Sequence, residues 1–301
     1  MSDESFGNAP FGAKSAVLVV FLCLLWGGLT PSLKLSLEGI PPLAVAGWRF
    51  LIGLVAIWVW SRLNGIRLYV PRKAHLPLFL YSLVFVSQIS AINFGTRLTT
   101  SNFAIILINT SPLFVALLAH FLIPNDKLTM RRSAGLAFAF LGVAIIFLAS
   151  VPDIDQLRGN FLVLLGGFLL GVIHVYGKFL LRRLSAFQVV FWEFVYGISL
   201  FFSLSLLFES AESYRLSAAV IGAVLYQGLV IAGFGFVTWV YLLQRYSASK
   251  LASFQFSIPV FGVVLGWFFL GEAVTWRLGL GMCLVTLGIY AVSSSDRDSK
   301  T

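Results

Sequence analysis

The sequence predicts an all-α membrane protein of ten transmembrane helices arranged as two inverted five-helix repeats. Three observations carry that expectation. Hydrophobic residues make up 59% of the 301 residues and charged residues only 11%, with a mean hydropathy of +0.93, a composition foreign to soluble globular domains. Apolar runs of about 17 to 25 residues recur from end to end, each long enough to cross a hydrocarbon core of roughly 30 Å as a helix, and they show none of the short alternating segments of a β-barrel. Finally, landmarks of the first half reappear in the second at a nearly constant offset.

Windows of about 19 residues place the spans at 16–36, 43–61, 77–95, 101–123, 134–150, 161–180, 187–208, 218–240, 252–270 and 278–293. The first carries Trp26, Gly27 and Lys34, and the second follows Pro41-Pro42 and carries Arg49. The third holds Tyr81 and Gln88, seven residues apart and so on one helical face. In the fourth, Asn109 and Ser111 precede Pro112, which frees a backbone carbonyl and permits a kink. Gly135 and Gly142 in the fifth allow close helix contact. The sixth carries His174 and, one turn on, Lys178; the seventh, Glu193; the eighth, Tyr226, Gln227, Thr238 and Trp239. The ninth offers Gln255, Ser257 and Pro259, and the tenth Gly281 and Gly288.

The opening "MSDESFGNAPFGAK" is polar and acidic, unlike a signal-peptide n-region, and is expected to be retained. Cys23 and Cys283 lie far apart inside apolar runs with no ligand spacing, so they read as small core residues and neither a disulfide frame nor a metal site is expected. The net charge of +9 does not imply a nucleic-acid partner, because the basic residues are scattered over short loops. Ten spans put both termini on one side. That side receives fifteen Lys and Arg residues, among them Arg62, Arg67, Arg72, Lys73, Arg182 and Arg183. The other receives five, namely Lys34, Arg97, Arg158, Arg215 and Arg277, with Arg49 left inside a span. This bias predicts that both termini are cytoplasmic.

Laying residue 27 on residue 171 without a gap pairs Gly27 with Gly171, Lys34 with Lys178, Trp48 with Trp192, Arg49 with Glu193 and Phe50 with Phe194. "NTSPLFVALLAHFL" then meets "QFSIPVFGVVLGWFFL", matching Pro112 to Pro259, and Gly135 and Gly142 meet Gly281 and Gly288 after a one-residue slip. The expected domains are therefore residues 1–150 and 151–301. Five spans being odd, the second repeat enters the membrane from the opposite face, the arrangement of secondary transporters that open a midplane site alternately to either side.

Arg49 lies about six residues, or roughly 9 Å, into its span, within snorkelling reach of the headgroups. Glu193 sits at similar depth from the other end. At these depths a charge costs less than the ~3 kcal/mol of a mid-span position. Two accounts stay open: each anchors a helix end, or each forms part of a gate. The gating or coupling set is Arg49, Glu193, Lys34 and Lys178, with Glu193 the carboxylate available for proton coupling and Pro112 and Pro259 the hinges.

Polar side chains at mid-depth face a cavity or a partner helix. The candidates to line a central cavity are Tyr81, Gln88, Asn109, His174, Tyr226, Gln227, Trp239 and Ser257. Against this, amides in membrane bundles often bond only to neighbouring helices, at ~0.6 to 2 kcal/mol. Trp58, Trp60, Trp267 and Trp276 suit the interfacial belt. A sugar phosphate would need several mid-depth Arg or Lys residues, whereas a zwitterion with an apolar side chain suits an apolar cavity with a few amides and hydroxyls. Enzyme chemistry lacks its groups: there is no His-Glu-x-x-His, no Asp within a span, and His75, His120 and His174 lie on different spans. No catalytic residue, metal or other cofactor is expected.

"WGGLTPSLKLSLEGIPPLAVAGWRF" resembles the first repeat of EamA-type transporters of the drug/metabolite transporter superfamily. "FFLGEAVTWRLGLGMCLVTLGIY", with Gly271-Glu272, Gly281 and Gly288, resembles the end of that family's second repeat, and the likeness covers nearly the whole chain. The first repeat departs from it, reading Pro124-Asn125 where the second has Gly271-Glu272. The resemblance implies a ten-helix inverted-repeat fold and export of amino acids or other metabolites across the bacterial inner membrane. With 15% aromatic residues, the chain resembles, within that family, an aromatic amino acid exporter; a sugar-phosphate or other metabolite exchanger is the alternative. The expected partners are a small-molecule substrate and the lipid bilayer, with oligomeric state left open.

Overall fold

The structure, a computed structural model, describes residues 12–122, 130–150, 153–210, 214–245, 254–255 and 257–298. Every element among them is helical: α1 Ala13–Leu37, α2 Pro42–Leu63, α3 Arg72–Leu98, α4 Ser101–Leu122, α5 Met130–Ser150, α6 Ile154–Leu180, α7 Ala186–Phe208, α8 over 218–245, α9 Ile258–Leu270 and α10 Trp276–Asp298. Seven are long and apolar enough to cross a membrane; the apolar stretches Ser133–Ile146, Ile258–Leu270 and Trp276–Ala291 are shorter. The ten helices match the ten expected spans. Residues 1–11, most of the N-terminal segment expected to be retained, lie outside the described residues, as do Pro124-Asn125 and the start of the ninth span.

Two helices are interrupted beside a proline, and a third changes its winding at its centre. In α1 the helical hydrogen-bond run breaks at Gly28, three residues before Pro31, and the Tyr226 hydroxyl donates to the Leu25 carbonyl at 2.5 Å beside the break. In α4 the break falls at 109–110, between Ser101–Ile108 and Ser111–Leu122. Pro112 has no N–H with which to continue the ladder, and here it occupies the first turn of a new helix segment, where that N–H is not needed. Pro259 holds the equivalent first-turn place in α9. The centre of α8, Tyr226–Gly235, is wound as a π-helix.

The two halves pack as an inverted pair. Phe50 and Phe194, equivalent positions of the two repeats, touch with ring centroids 4.8 Å apart. A Cβ built on Gly27 would stand 2.7 Å from Phe261 Cβ, and one on the equivalent Gly171 would stand 2.9 Å from Cβ of the equivalent Phe114. In the antiparallel α5–α10 pair, a Cβ on Gly142 would meet the Gly281 carbonyl oxygen at 2.7 Å and one on Gly288 the Gly135 carbonyl oxygen at 2.5 Å. Exchanging the halves maps each of these contacts onto its partner, as a two-fold axis in the membrane plane requires. Without a hydrophobic driving force between helices in lipid, backbone approach at small residues is what holds such pairs.

The side opposite the termini is knitted by polar contacts. Glu209, after α7, accepts from the backbone N–H groups of Leu43 and Ala44 at 2.8 and 3.1 Å. Glu272, after α9, accepts from those of Ser101 and Asn102 at 2.6 and 2.9 Å. Each carboxylate thus satisfies the orphan donors of another helix's first turn and sits at the positive end of its dipole. Thr99 donates to Asn160 at 2.5 Å, and Arg215 N–H to the Gly39 carbonyl at 2.7 Å.

Trp58, Trp60, Trp267 and Trp276 are exposed on the outer surface, where the belt reading placed them. Cys23 is buried, as expected, but Cys283 is exposed: it lies on a face of α10 turned away from the bundle, and in a membrane helix apolar surroundings in sequence do not distinguish lipid from core.

Candidate functional site

A cavity of about 410 Å³ opens between α1, α4, α6, α8, α9 and α10. It extends from mid-bundle toward the termini side, because His174, Trp239, Gln255 and Pro259 occupy the termini-side portions of their helices. Equivalent residues of the two halves face each other across it. Trp26 and Leu170 share one repeat position, Ser111 and Ile258 another, and Pro112 and Pro259 a third, and all six line the wall. The cavity therefore sits on the axis that exchanges the halves.

The helix breaks supply its polar groups. Asn109 stands at the interruption of α4 and donates its amide to the Ile105 carbonyl at 2.7 Å, leaving its Oδ1 without a partner among the described residues. Ser111 begins the next segment. On α10, Thr286 lines the wall, with its hydroxyl buried in protein and without a hydrogen-bond partner among the described residues. His174 is enclosed by protein yet keeps its ring accessible through the cavity. Trp26 and Trp239 form one wall, edge to face with centroids 5.1 Å apart. The result is an apolar, aromatic chamber with a few neutral polar groups and one imidazole, suited to a small molecule with an apolar part and a few hydrogen-bonding atoms.

Of the residues expected from sequence to bind substrate, Asn109, His174 and Trp239 meet in this cavity, with the hinge prolines Pro112 and Pro259. The others are placed elsewhere. Tyr226 faces a separate apolar groove of about 380 Å³ beside Gly28 and Pro31. Ser257 donates to the Phe254 carbonyl within its own turn at 2.7 Å. Tyr81 and Gln88 share one buried face of α3; Tyr81 packs against Tyr176 at 5.6 Å between ring centroids. Gln227 is wholly buried, accepting from Arg49 at 3.5 Å and donating to Ser36 at 3.2 Å.

That chain corrects the snorkelling account of Arg49. The guanidinium is buried, turned into the bundle toward Gln227 and 4.3 Å from the Phe50 ring centroid. The π-helical turns of α8 bring Gln227 there: Gly228 packs so tightly that a Cβ on it would stand 3.0 Å from the Arg49 carbonyl oxygen. Glu193 is equally buried, on the far side of the Phe50–Phe194 contact. Lys34 donates to the carbonyls of Thr96, Arg97 and Thr99 at 3.0, 3.1 and 2.5 Å, closing α1 onto the C-terminus of α3. Its equivalent Lys178 is exposed on the other side.

Sequence reasoning passed over Trp26 and Thr286 as site residues. Trp26 had a signal, since it stands beside Gly27, the anchor of the repeat alignment. Thr286 had none, being a lone hydroxyl in an apolar span.

The sequence profile of the EamA-like transporter family matches the chain twice, over residues 13–148 and 157–294. An uncharacterized transporter of Bacillus subtilis, YoaV, is 27% identical over 276 residues, covering 90% of this chain and 94% of that protein. A probable amino-acid metabolite efflux pump of Salmonella typhimurium is 27% identical, covering 92% and 94% of the two chains. A probable terminal-alkyne amino-acid exporter of Streptantibioticus cattleyicolor is 26% identical, covering 93% and 94%. One solved crystal structure superposes with a TM-score of 0.69 at 19% identity over 96% of this chain and 100% of that one, a likeness of fold. With two profile matches spanning nearly its whole length and the paired-repeat geometry described above, the chain belongs to the EamA-like transporter family.

Proposed function

We propose that this protein exports amino acids, with aromatic or other apolar ones favoured, by alternating access through the cavity between its halves. The carrying observation is that equivalent residues of the two repeats line that cavity. A site on the exchange axis presents the same walls whichever half opens, which is what alternating access requires. The halves, residues 1–150 and 151–301, would then rock against each other about the breaks at Pro112 and Pro259. The Lys34 contact closes the side opposite the termini while Lys178 is exposed, so the conformation described is one open toward the termini. The arginine and lysine distribution supports placing both termini in the cytoplasm of a bacterial cell and the protein in its inner membrane.

The cavity wall favours a zwitterion over a phosphorylated sugar. None of the described residues lining it is an arginine or lysine, whereas a dianion would need guanidinium or ammonium partners at that depth. The wall offers acceptor and donor groups at Asn109, Ser111, His174 and Gln255 beside the two tryptophans. Relatives named as amino-acid efflux pumps and exporters favour the same substrate class. The reading implies a carrier, with no catalytic step.

The test is uptake into proteoliposomes, screened over amino acids with and without a proton gradient. Saturable flux of one or more amino acids, competed by their analogues, is the expected result. Flux that rises linearly with concentration would mean a channel, and saturable flux confined to phosphorylated sugars would overturn the substrate class.

A further inference from the structure

A second cavity, of about 500 Å³, lies at the termini-side end of α2, under the loop that leads to α3 and against α7. It has three distinguishing features. Arg62 and Arg67 line it, and neither has a hydrogen-bond or ion-pair partner among the described residues. Ser61 also lines it, wholly buried, its hydroxyl closed off from the cavity and without a hydrogen-bond partner among the described residues. The rest of the wall carries three aromatic side chains beside Ile66 and Leu68: Trp58 is 50% exposed and Tyr69 77% exposed, with Phe191 beside them.

The loop that frames this cavity is held in place from α7. Trp192 Nε1 donates to the Leu68 carbonyl at 2.9 Å, and Gln188 Nε2 to the Tyr69 carbonyl at 2.7 Å. The loop leaves α2 through Gly65, in the left-handed conformation at φ 65°, which a side chain would strain. Arg67 is thereby fixed on the same cavity as Arg62.

We infer that this cavity binds the headgroup phosphate of an anionic phospholipid, with Arg62 and Arg67 on the phosphate oxygens. Two guanidiniums with no carboxylate partner present forked donors matched to phosphate. Basic pockets between helix ends at the membrane surface are suited to such headgroups. The aromatic wall below the arginines distinguishes a lipid from free phosphate: tryptophan and tyrosine at headgroup depth accommodate the glycerol and upper acyl region. This site is separate from the central cavity, so its occupation does not depend on the identity of the transported molecule.

The test is native mass spectrometry of the purified full-length protein with phosphatidylglycerol or phosphatidylcholine added at equal concentration. The wild type is expected to retain one phosphatidylglycerol in preference to phosphatidylcholine. The variant Arg62→Gln/Arg67→Gln should lose about thirtyfold in affinity for that lipid, the order expected of two basic side chains at an anionic surface. Arg182→Gln/Arg183→Gln, with the same charge change on the same side, should keep it. Equal retention of phosphatidylglycerol by wild type and Arg62→Gln/Arg67→Gln would overturn the inference. So would displacement of the bound lipid by millimolar inorganic phosphate, which would make the ligand a free anion.

Discussion

The Lys34 ammonium lies 2.5 Å from the Thr99 carbonyl oxygen, at the point where α3 ends. With its further bonds to Thr96 and Arg97 it takes up carbonyls that the helix leaves orphaned and sets a cation at the negative end of its dipole. The contact ties α1 to α3 on the side where Thr99 also bonds Asn160. Hydrogen bonds to a charged group contribute about 1.5–3 kcal/mol each, enough to bias a two-state gate. Lys34→Met should therefore raise the labelling rate of a cysteine placed at the buried Ser36, using an impermeant maleimide from the side opposite the termini, by at least about tenfold. An unchanged rate would remove Lys34 from the gate.

Glu272 should matter to stability whatever is transported. Its two oxygens accept the first N–H groups of α4, and loss of such a cap costs about 0.5–2 kcal/mol. Glu272→Ala should lower Tm in detergent by several degrees, and Glu272→Gln, which keeps one acceptor and loses the charge, by less. Glu209→Ala should behave like Glu272→Ala, because it caps α2 in the same way.

The α5–α10 seam gives a third expectation. A side chain at Gly288 meets the backbone of Gly135 and the Cβ of Ala139, neither of which can rotate away. Gly288→Ala should destabilise by about 1–3 kcal/mol. On the same helix, Gly279→Ala meets nothing within 4 Å and should stabilise slightly through helix propensity, by up to about 1 kcal/mol. Thermal unfolding of both variants checks the contrast, and equal Tm values would mean that the seam is looser than described.

Much of this architecture was legible in the chain. Length and hydropathy placed the ten spans, Pro112 and Pro259 marked the helix breaks, and the offset between Gly27 and Gly171 exposed the repeat. What stayed hidden was rotation about each helix axis. A soluble helix shows its inner face by an apolar stripe, but in lipid both faces are apolar and the stripe vanishes. So Tyr81 and Gln88 could be assigned a common face without revealing that it packs away from the central cavity. Arg49 could be given a depth, but its partner Gln227 is met only because α8 widens into a π-helix, which no local motif announced.

Glu193 remains the carboxylate to test for coupling. It is buried beside the Phe50–Phe194 contact, where a charge is costly unless compensated. If it carries the coupled proton, Glu193→Gln should transport at a rate indifferent to an imposed proton gradient. A wild-type response to the gradient would exclude it from coupling.

The central cavity yields the sharpest contrast, between His174 and Gln88. Both were candidates for substrate contact, but His174 opens into the cavity, whereas Gln88 is 3% exposed on the buried face of α3. If the proposed cavity holds the substrate, His174→Ala removes a hydrogen-bonding group from its wall and should raise the half-saturation concentration about tenfold, the equivalent of one hydrogen bond of roughly 1.4 kcal/mol. Gln88→Ala should instead lower Tm and leave the half-saturation concentration near the wild-type value. Transport assays with a matched melting curve for each variant separate the two effects. A shift for Gln88→Ala with none for His174→Ala would move the substrate out of this cavity and toward the face of α3 that packs on α6 and α7.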